Sequence, residues 1–209
     1  MRDFIKSFLA GILISVGCVV YLMCQNKIVG SFLFSFGLFA IVNMGLNLYT
    51  GKIGYLLINR NLKFVLNLCI TLIGNFLGTL FVAVLIRQTR LDINDAVTTI
   101  TNVKLNDSYI SMLILSVFCG MLMFLGVDLF KTIENYIGKV LSVTFVVMIF
   151  ILSGFEHCIA DMFYFNLAGN LRISVLCTVI LGNTIGGLLL CLLRYPESIK
   201  GKAKAELQV

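Results

Sequence analysis

Long apolar runs alternate with short polar stretches along this chain, and six of them approach the roughly 20 residues a helix needs to cross a bilayer. They lie at residues 7–25, 30–56, 64–87, 109–127, 140–165 and 173–193. The connections at 57–63, 128–139 and 166–172 are short, whereas RQTRLDINDAVTTITNVKLNDS, residues 87–108, is long and polar. This pattern predicts an all-α membrane protein with six transmembrane helices. Two of the runs are interrupted. The second reads FLFSFGLFAIVNMGL before NLYTGK breaks it, and the fifth reads VLSVTFVVMIFIL before GFEHCIAD does the same. Each uninterrupted part is too short to span alone, and non-helical backbone at that depth is tolerated only where protein or a water-filled cavity surrounds it. Glu156, His157 and Asp161 fall in the second interruption, and His157 is the only histidine in the chain.

The interruptions are related by spacing. GNFLG in the third run begins at Gly74 and GNTIGG in the sixth at Gly182, which is 108 residues later. The same offset carries LYTG, Leu48 to Gly51, onto EHCI, Glu156 to Ile159. Each half then holds three spans, an odd number, so the copies must sit in opposite orientations. Inverted repeats with a broken helix in each half are a transporter arrangement whose site lies near the midplane. A single transport domain over residues 1–209 is expected, with repeats at about 7–87 and 109–193 and broken helices in spans two and five. Broken helices expose backbone N–H groups at their new N-termini, which favour anions. The glycines of the two motifs recur at four-residue spacing, and close helix packing is their expected role.

Composition agrees with a membrane setting. Hydrophobic residues make up 59% of the chain and charged residues 12%, about half the share of an ordinary soluble domain. MRDFIKS opens with charge, but no small-residue cleavage site follows, so the first run is expected to remain as a span. The seven cysteines show no C-x-x-C pair, which argues against a zinc site or a disulfide framework. Lys and Arg in the connections set orientation. Arg2, Lys6, Arg60, Lys63, Lys131, Lys139, Arg194, Lys200, Lys202 and Lys204 fall on one side, against Lys27, Arg87, Arg90, Lys104 and Arg172 on the other. Both termini are therefore expected in the cytoplasm. The surplus of +6 reads as topology and not as nucleic-acid binding.

GFEHCIADMF resembles the signature of the formate/nitrite transporter family, whose pattern is close to G-[FY]-E-H-S-x-A-N-M-[FY]. LYTGK resembles that family's L-F-T-G/S element in span two, and GNFLG and GNTIGG resemble its G-N-x-x-G elements in spans three and six. CGMLMFLGV stands in place of its fourth-span C-N-x-L-V-C-L-A-V element. The resemblance implies an aquaporin-like six-helix protomer, assembled as a homopentamer in a prokaryotic inner membrane, with one pore in each protomer. It implies passage of small monovalent anions or their weak acids, of the formate, nitrite and hydrosulfide class, and no cofactor or metal. By motif matching, His157 takes the place of the family's central histidine, Thr50 of its threonine partner, Leu48 of the constriction element and Lys104 of a basic residue before span four. The chain departs from the pattern at Asp161 (for Asn), Gly120 (for Asn), Asn47 (for an acid), Lys52 (for Asn) and Tyr49 (for Phe). Lys52 is expected to counter the added charge of Asp161.

Taken from the residues alone, His157 reads equally as a pore-lining group or as a packed histidine. An ionisable residue inside a membrane is nevertheless a functional candidate by default. Desolvation favours its uncharged form, which still offers one hydrogen bond or receives a proton. The expected mechanism has Lys104 and the broken-helix N–H groups drawing an anion inward, with proton transfer at His157 beside Thr50. Glu156 is adjacent in sequence, so it is expected to point away, towards backbone or a neighbouring protomer. Two other classes are weighed: an intramembrane enzyme lacks a nucleophile–base pair here, and the alternative that remains is an aquaporin-like pore for small neutral solutes.

Overall fold

The computed structural model describes residues 1–199. Lys200, Lys202 and Lys204, used in the orientation count, lie outside the described residues. The elements are α1 (Arg2–Met23), α2 (Lys27–Asn43), α3 (Tyr49–Lys52) leading into a 3₁₀ turn (Ile53–Leu57), α4 (Leu62–Ile86), α5 (Asn94–Asn106), α6 (Tyr109–Thr132), α7 (Tyr136–Leu152), α8 (Cys158–Ala168) and α9 (Ile173–Arg194). No strand occurs among the described residues. Four helices, α1, α4, α6 and α9, are long and apolar enough to cross a membrane, while α2, α7 and α8 are shorter apolar helices.

Polar residues in the connections start these helices. Asn26, Asn61, Ser108 and Asn135 each place a side-chain oxygen on an otherwise unpaired N–H of the first turn. One device ends both α2 and α7. After α2, Gly45 turns left-handed at φ +60° and Leu46 N–H reaches back 2.9 Å to Ile41 O. After α7, Gly154 does so at φ +69° and Phe155 N–H reaches Phe150 O at 2.9 Å. Glycine suits that conformation because it has no Cβ to clash, and the returning bonds satisfy carbonyls the helix leaves open. The interruptions read in the sequence are thus two matched helix ends, each followed by extended backbone.

The most extensive contacts join α1 to α4 and α6 to α9. Small residues allow the approach. A Cβ added at Gly186 would lie 2.0 Å from the Val117 carbonyl oxygen, so only glycine fits that crossing. The packing role expected of the glycine motifs is what the helices show. Phe36, Ile73, Phe145 and Leu193 point outward and are exposed, whereas Ser7, Thr71, Asn75, Ser116 and Asn183 are buried. An apolar outside with polar groups inside suits a hydrocarbon surround, in which backbone and side-chain polar groups must find partners within the protein. The chain is an integral membrane protein.

The long polar connection is not a simple loop. Its central part is α5, which turns Ile93, Val97 and Thr101 inward and packs on α8. Residues spaced four, four and three apart lie on one helix face, so Ile93, Val97, Thr101 and Lys104 all point the same way. That places Lys104 inside the molecule rather than among solvated loop residues.

Candidate functional site: a histidine between two cavities

The two extended stretches that follow α2 and α7 meet at the centre. Leu48 is the N-cap of α3 and His157 that of α8, both with φ −109° and extended backbone. Each stretch is held by one buried asparagine. Asn75 on α4 accepts from Tyr49 N–H at 3.0 Å and donates to the carbonyls of Ser7 (2.7 Å) and Asn47 (2.9 Å). Asn183 on α9 accepts from Cys158 N–H at 2.9 Å and donates to the carbonyls of Ser116 and Glu156, both at 2.8 Å. The two sets of bonds match partner for partner. Asn183 follows Asn75 by 108 residues, as expected, but Cys158 follows Tyr49 by 109. The equivalent of His157 is therefore Leu48, and the expected match of LYTG to EHCI is one residue out of step.

His157 is 2% exposed. Its Nδ1 accepts from Ala160 N–H at 3.2 Å, and its Nε2 lies 3.0 Å from Thr50 Oγ1. A backbone N–H only donates, so Nδ1 must hold a lone pair; in a neutral ring the proton is then on Nε2 and points to Thr50. Thr50 keeps its own hydroxyl hydrogen for another partner. Thr50 therefore bonds the histidine and does not cap α3. The imidazole stacks on Phe150 with centroids 5.5 Å apart, and Phe150 in turn meets Phe34 edge-on. Tyr49 OH lies 2.9 Å from Thr184 Oγ1, which ties α3 to α9.

A cavity opens on either side of this contact. One, of about 240 Å³, is lined by Tyr21, Phe34, Phe150, Lys104, His157 and Asp161 among others. The other, of about 510 Å³, includes Leu48, Asn47 and Lys52 in its wall. In the first, Lys104 Nζ bonds Glu156 Oε2 and lies 2.9 Å from Asp161 Oδ1. Asp161 is 1% exposed and makes an ion pair, although neither of its oxygens receives an aligned hydrogen bond. Burial works against the Lys104 ammonium, but Asp161 and Glu156 outweigh it and hold the lysine above its ordinary range.

Three expectations change here. Lys52 does not counter Asp161: its Nζ donates to Asn47 Oδ1 at 2.6 Å in the other cavity, and the cation beside Asp161 is Lys104. Glu156 does not turn to backbone or a neighbour with its carboxylate, because Lys104 takes it. The broken-helix N–H groups are largely engaged: Cys158 N–H by Asn183, Ala160 N–H by His157, Asp161 N–H by the His157 carbonyl and Tyr49 N–H by Asn75. Asn75 and Asn183, the structural centre of both breaks, were read in the sequence only as parts of packing motifs. Among the described residues no group of three or more His, Cys, Asp or Glu is placed to hold a metal ion.

Known proteins give this arrangement its context. A family model described as formate/nitrite transporter matches residues 1–196. The chain is 28% identical over 191 residues to a formate-nitrite transporter of Plasmodium knowlesi (strain H), covering 79% of this chain and 61% of that one. It is 29% identical over 211 residues to the formate channel BtFdhC of Bacillus thuringiensis, covering 88% of this chain and 81% of that one. It is 25% identical over 182 residues to the formate channel FocA of Haemophilus influenzae, with 77% of this chain and 64% of that one covered. The chain thus spans less than two thirds of the length of two of these relatives. The fold matches a solved pentameric formate channel with formate bound at a TM-score of 0.76 and 24% identity, over 93% of this chain and 95% of that one. It also matches an ion channel of the same family at a TM-score of 0.82 and 22% identity, over 93% of this chain and 88% of that one.

Proposed function

Because the chain belongs to the formate/nitrite transporter family, we propose that it is a channel or transporter for small monovalent anions or their weak acids, of the formate, nitrite and hydrosulfide class. The family's members compared above are named as transporters and channels, which favours transport over catalysis. We place six spans in the inner membrane, with both termini in the cytoplasm and one transport domain of inverted repeats. Spans two and five are each a pair: α2 with α3, and α7 with α8. A solved relative is pentameric, and a homopentamer with one path in each protomer is the assembly we assign.

The observation that carries this reading is the His157–Thr50 contact, which sits between two cavities at the meeting point of the breaks. A solute passing from one cavity to the other meets Leu48, Thr50 and His157 in turn. Leu48 and the Phe34 and Phe150 rings next to the histidine are apolar, so a bare charge is costly there and a neutralised acid is not. Thr50 offers the solute its hydroxyl hydrogen while His157 Nε2–H supports the oxygen. A proton taken up by His157 must enter at Nδ1, whose lone pair caps α8, so each protonation of the ring releases Ala160 N–H. Glu156, Asp161 and Lys104 form the wall of one cavity, and Asn47, Lys52 and Tyr49 support the break at the other.

Two results are expected from protein reconstituted in liposomes. Flux of formate, nitrite or hydrosulfide should rise as external pH falls, because the neutral acid is the form that crosses the apolar point. In His157→Asn that response should flatten. Asparagine is a good N-cap, so the variant keeps the cap of α8 while losing the ring that takes the proton. A pH profile that His157→Asn leaves unchanged would remove the histidine from the mechanism. Glycerol or water passage indifferent to pH, without anion flux, would favour a pore for neutral solutes instead.

A further inference from the structure

The two cavities differ in charge. Around the first, Lys104 faces two carboxylates, Glu156 and Asp161. Around the second stand Lys6, Lys52, Lys131 and Lys139, and among the described residues Asp3 is the sole acid in its wall. None of these four lysines makes an ion pair among the described residues. Lys6 Nζ donates to Gly45 O at 3.0 Å and Lys52 Nζ to Asn47 Oδ1 at 2.6 Å, both uncharged acceptors. Lys131 Nζ lies 4.2 Å from the centre of the Tyr55 ring and Lys139 Nζ 5.4 Å from that of Phe130. Asp128, the acid next to Lys131 along α6, is already taken by Arg194 and by the hydroxyls of Tyr55 and Tyr195. Each ammonium has three N–H donors, so most of the donors around this cavity have no hydrogen-bond partner among the described residues.

We propose that this lysine-walled cavity is a binding site for a soluble polyvalent oxyanion of the phosphate or diphosphate class. Four cations around one space repel one another, and a ligand with two or more negative charges relieves that repulsion better than a monovalent anion does. The volume of about 510 Å³ lies in the range of ordinary ligand sites, well above what a one-carbon acid fills. Leu48 shares the wall, so the bound oxyanion stands directly in front of the narrow point. It therefore blocks flux from that side; this consequence, unlike the binding itself, rests on the transport reading above.

Inorganic diphosphate titrated into the delipidated full chain in a nonionic detergent tests the site by calorimetry. Saturable, salt-sensitive binding is expected, weakened by at least about tenfold in Lys131→Gln/Lys139→Gln, since two charge-assisted bonds are lost. The double variant is compared only if its unfolding midpoint matches the parent's. Absent binding, or equal affinity in parent and variant, overturns the site. Saturation by phosphatidate but not by diphosphate also overturns it, since the ligand would then be a lipid headgroup. Diphosphate on the lysine side of neutral-lipid liposomes should slow anion flux in the parent and not in the variant. Binding that persists in a protein carrying no anion flux leaves the site standing and removes the transport reading.

Discussion

Lys104→Met is expected to lower stability by about 3–5 kcal/mol, the usual cost of removing one partner from a buried ion pair. Among the described residues the lysine is the one cation beside two carboxylates, of which Asp161 is 1% and Glu156 5% exposed. Methionine keeps the length and apolar stem of the side chain, so packing changes little while the charge disappears. Two acids would then stand in a buried pocket without the cation that compensates their desolvation. The unfolding midpoint in mild detergent reports the loss. Adding Asp161→Asn to the variant removes one of the stranded charges and should return part of the stability. Asp161→Asn alone leaves a one-to-one pair of Lys104 and Glu156, and should cost little. If Lys104→Met unfolds at the parent's midpoint, the pair is hydrated and contributes nothing to the fold.

The second large effect is expected at Asn183. Asn183→Leu leaves two buried backbone groups, Cys158 N–H and the Glu156 carbonyl, without their partner, while the Ser116 carbonyl keeps its place in the helical ladder of α6. Each buried group left unpaired costs about 1–3 kcal/mol, and the two together are a large share of the stability of a typical domain. Poor recovery of folded protein is therefore expected, measured as the monodisperse fraction in detergent. Thr184→Ala serves as the control one residue along the same helix. It removes a side chain that bonds Tyr49 and the Ile180 carbonyl but no backbone anchor. Near-equal recovery for both variants would mean that the anchor of α8 lies elsewhere.

Much of this was legible in advance, for identifiable reasons. The apolar runs and their interruptions follow directly from the demand that backbone polar groups be satisfied in lipid. The near-repeat was visible because Asn75 and Asn183 sit in similar glycine-flanked motifs. Its slip by one residue was not, because the break-to-asparagine separation is 28 residues in the first half and 27 in the second. A four-residue match carries too little information to locate one extra residue in the turn between. Lys52 and Asp161 looked like partners because both are polar residues at similar depth in the interrupted runs. Half-helices entering from opposite ends send them to opposite cavities, and hydropathy does not report which end a residue faces. Lys104 came forward only through its resemblance to a family position. The apolar face of α5, with Ile93, Val97 and Thr101 turned inward, was a signal in the residues themselves. The departure at Asp161 was visible too, but its cation was not, since that contact spans 57 positions of the chain, from Lys104 to Asp161.

Interrupted helices in membrane proteins invite comparison with hinges, where two rigid rods swing about a soft joint. The asparagine clamps argue for the opposite here. Asn47 and Glu156 carbonyls and Tyr49 and Cys158 amides, the backbone groups a hinge would leave free to rotate, are bolted to α4 and α9. Those helices are themselves locked against α1 and α6 at contacts too tight for a Cβ. A joint clamped in this way is not a free swivel. On the transport reading proposed above, opening a route between the cavities then falls to rotamers of buried side chains, such as Leu48 and Phe150, rather than to rigid-body swings. A passage built this way works as a fixed frame with moving shutters.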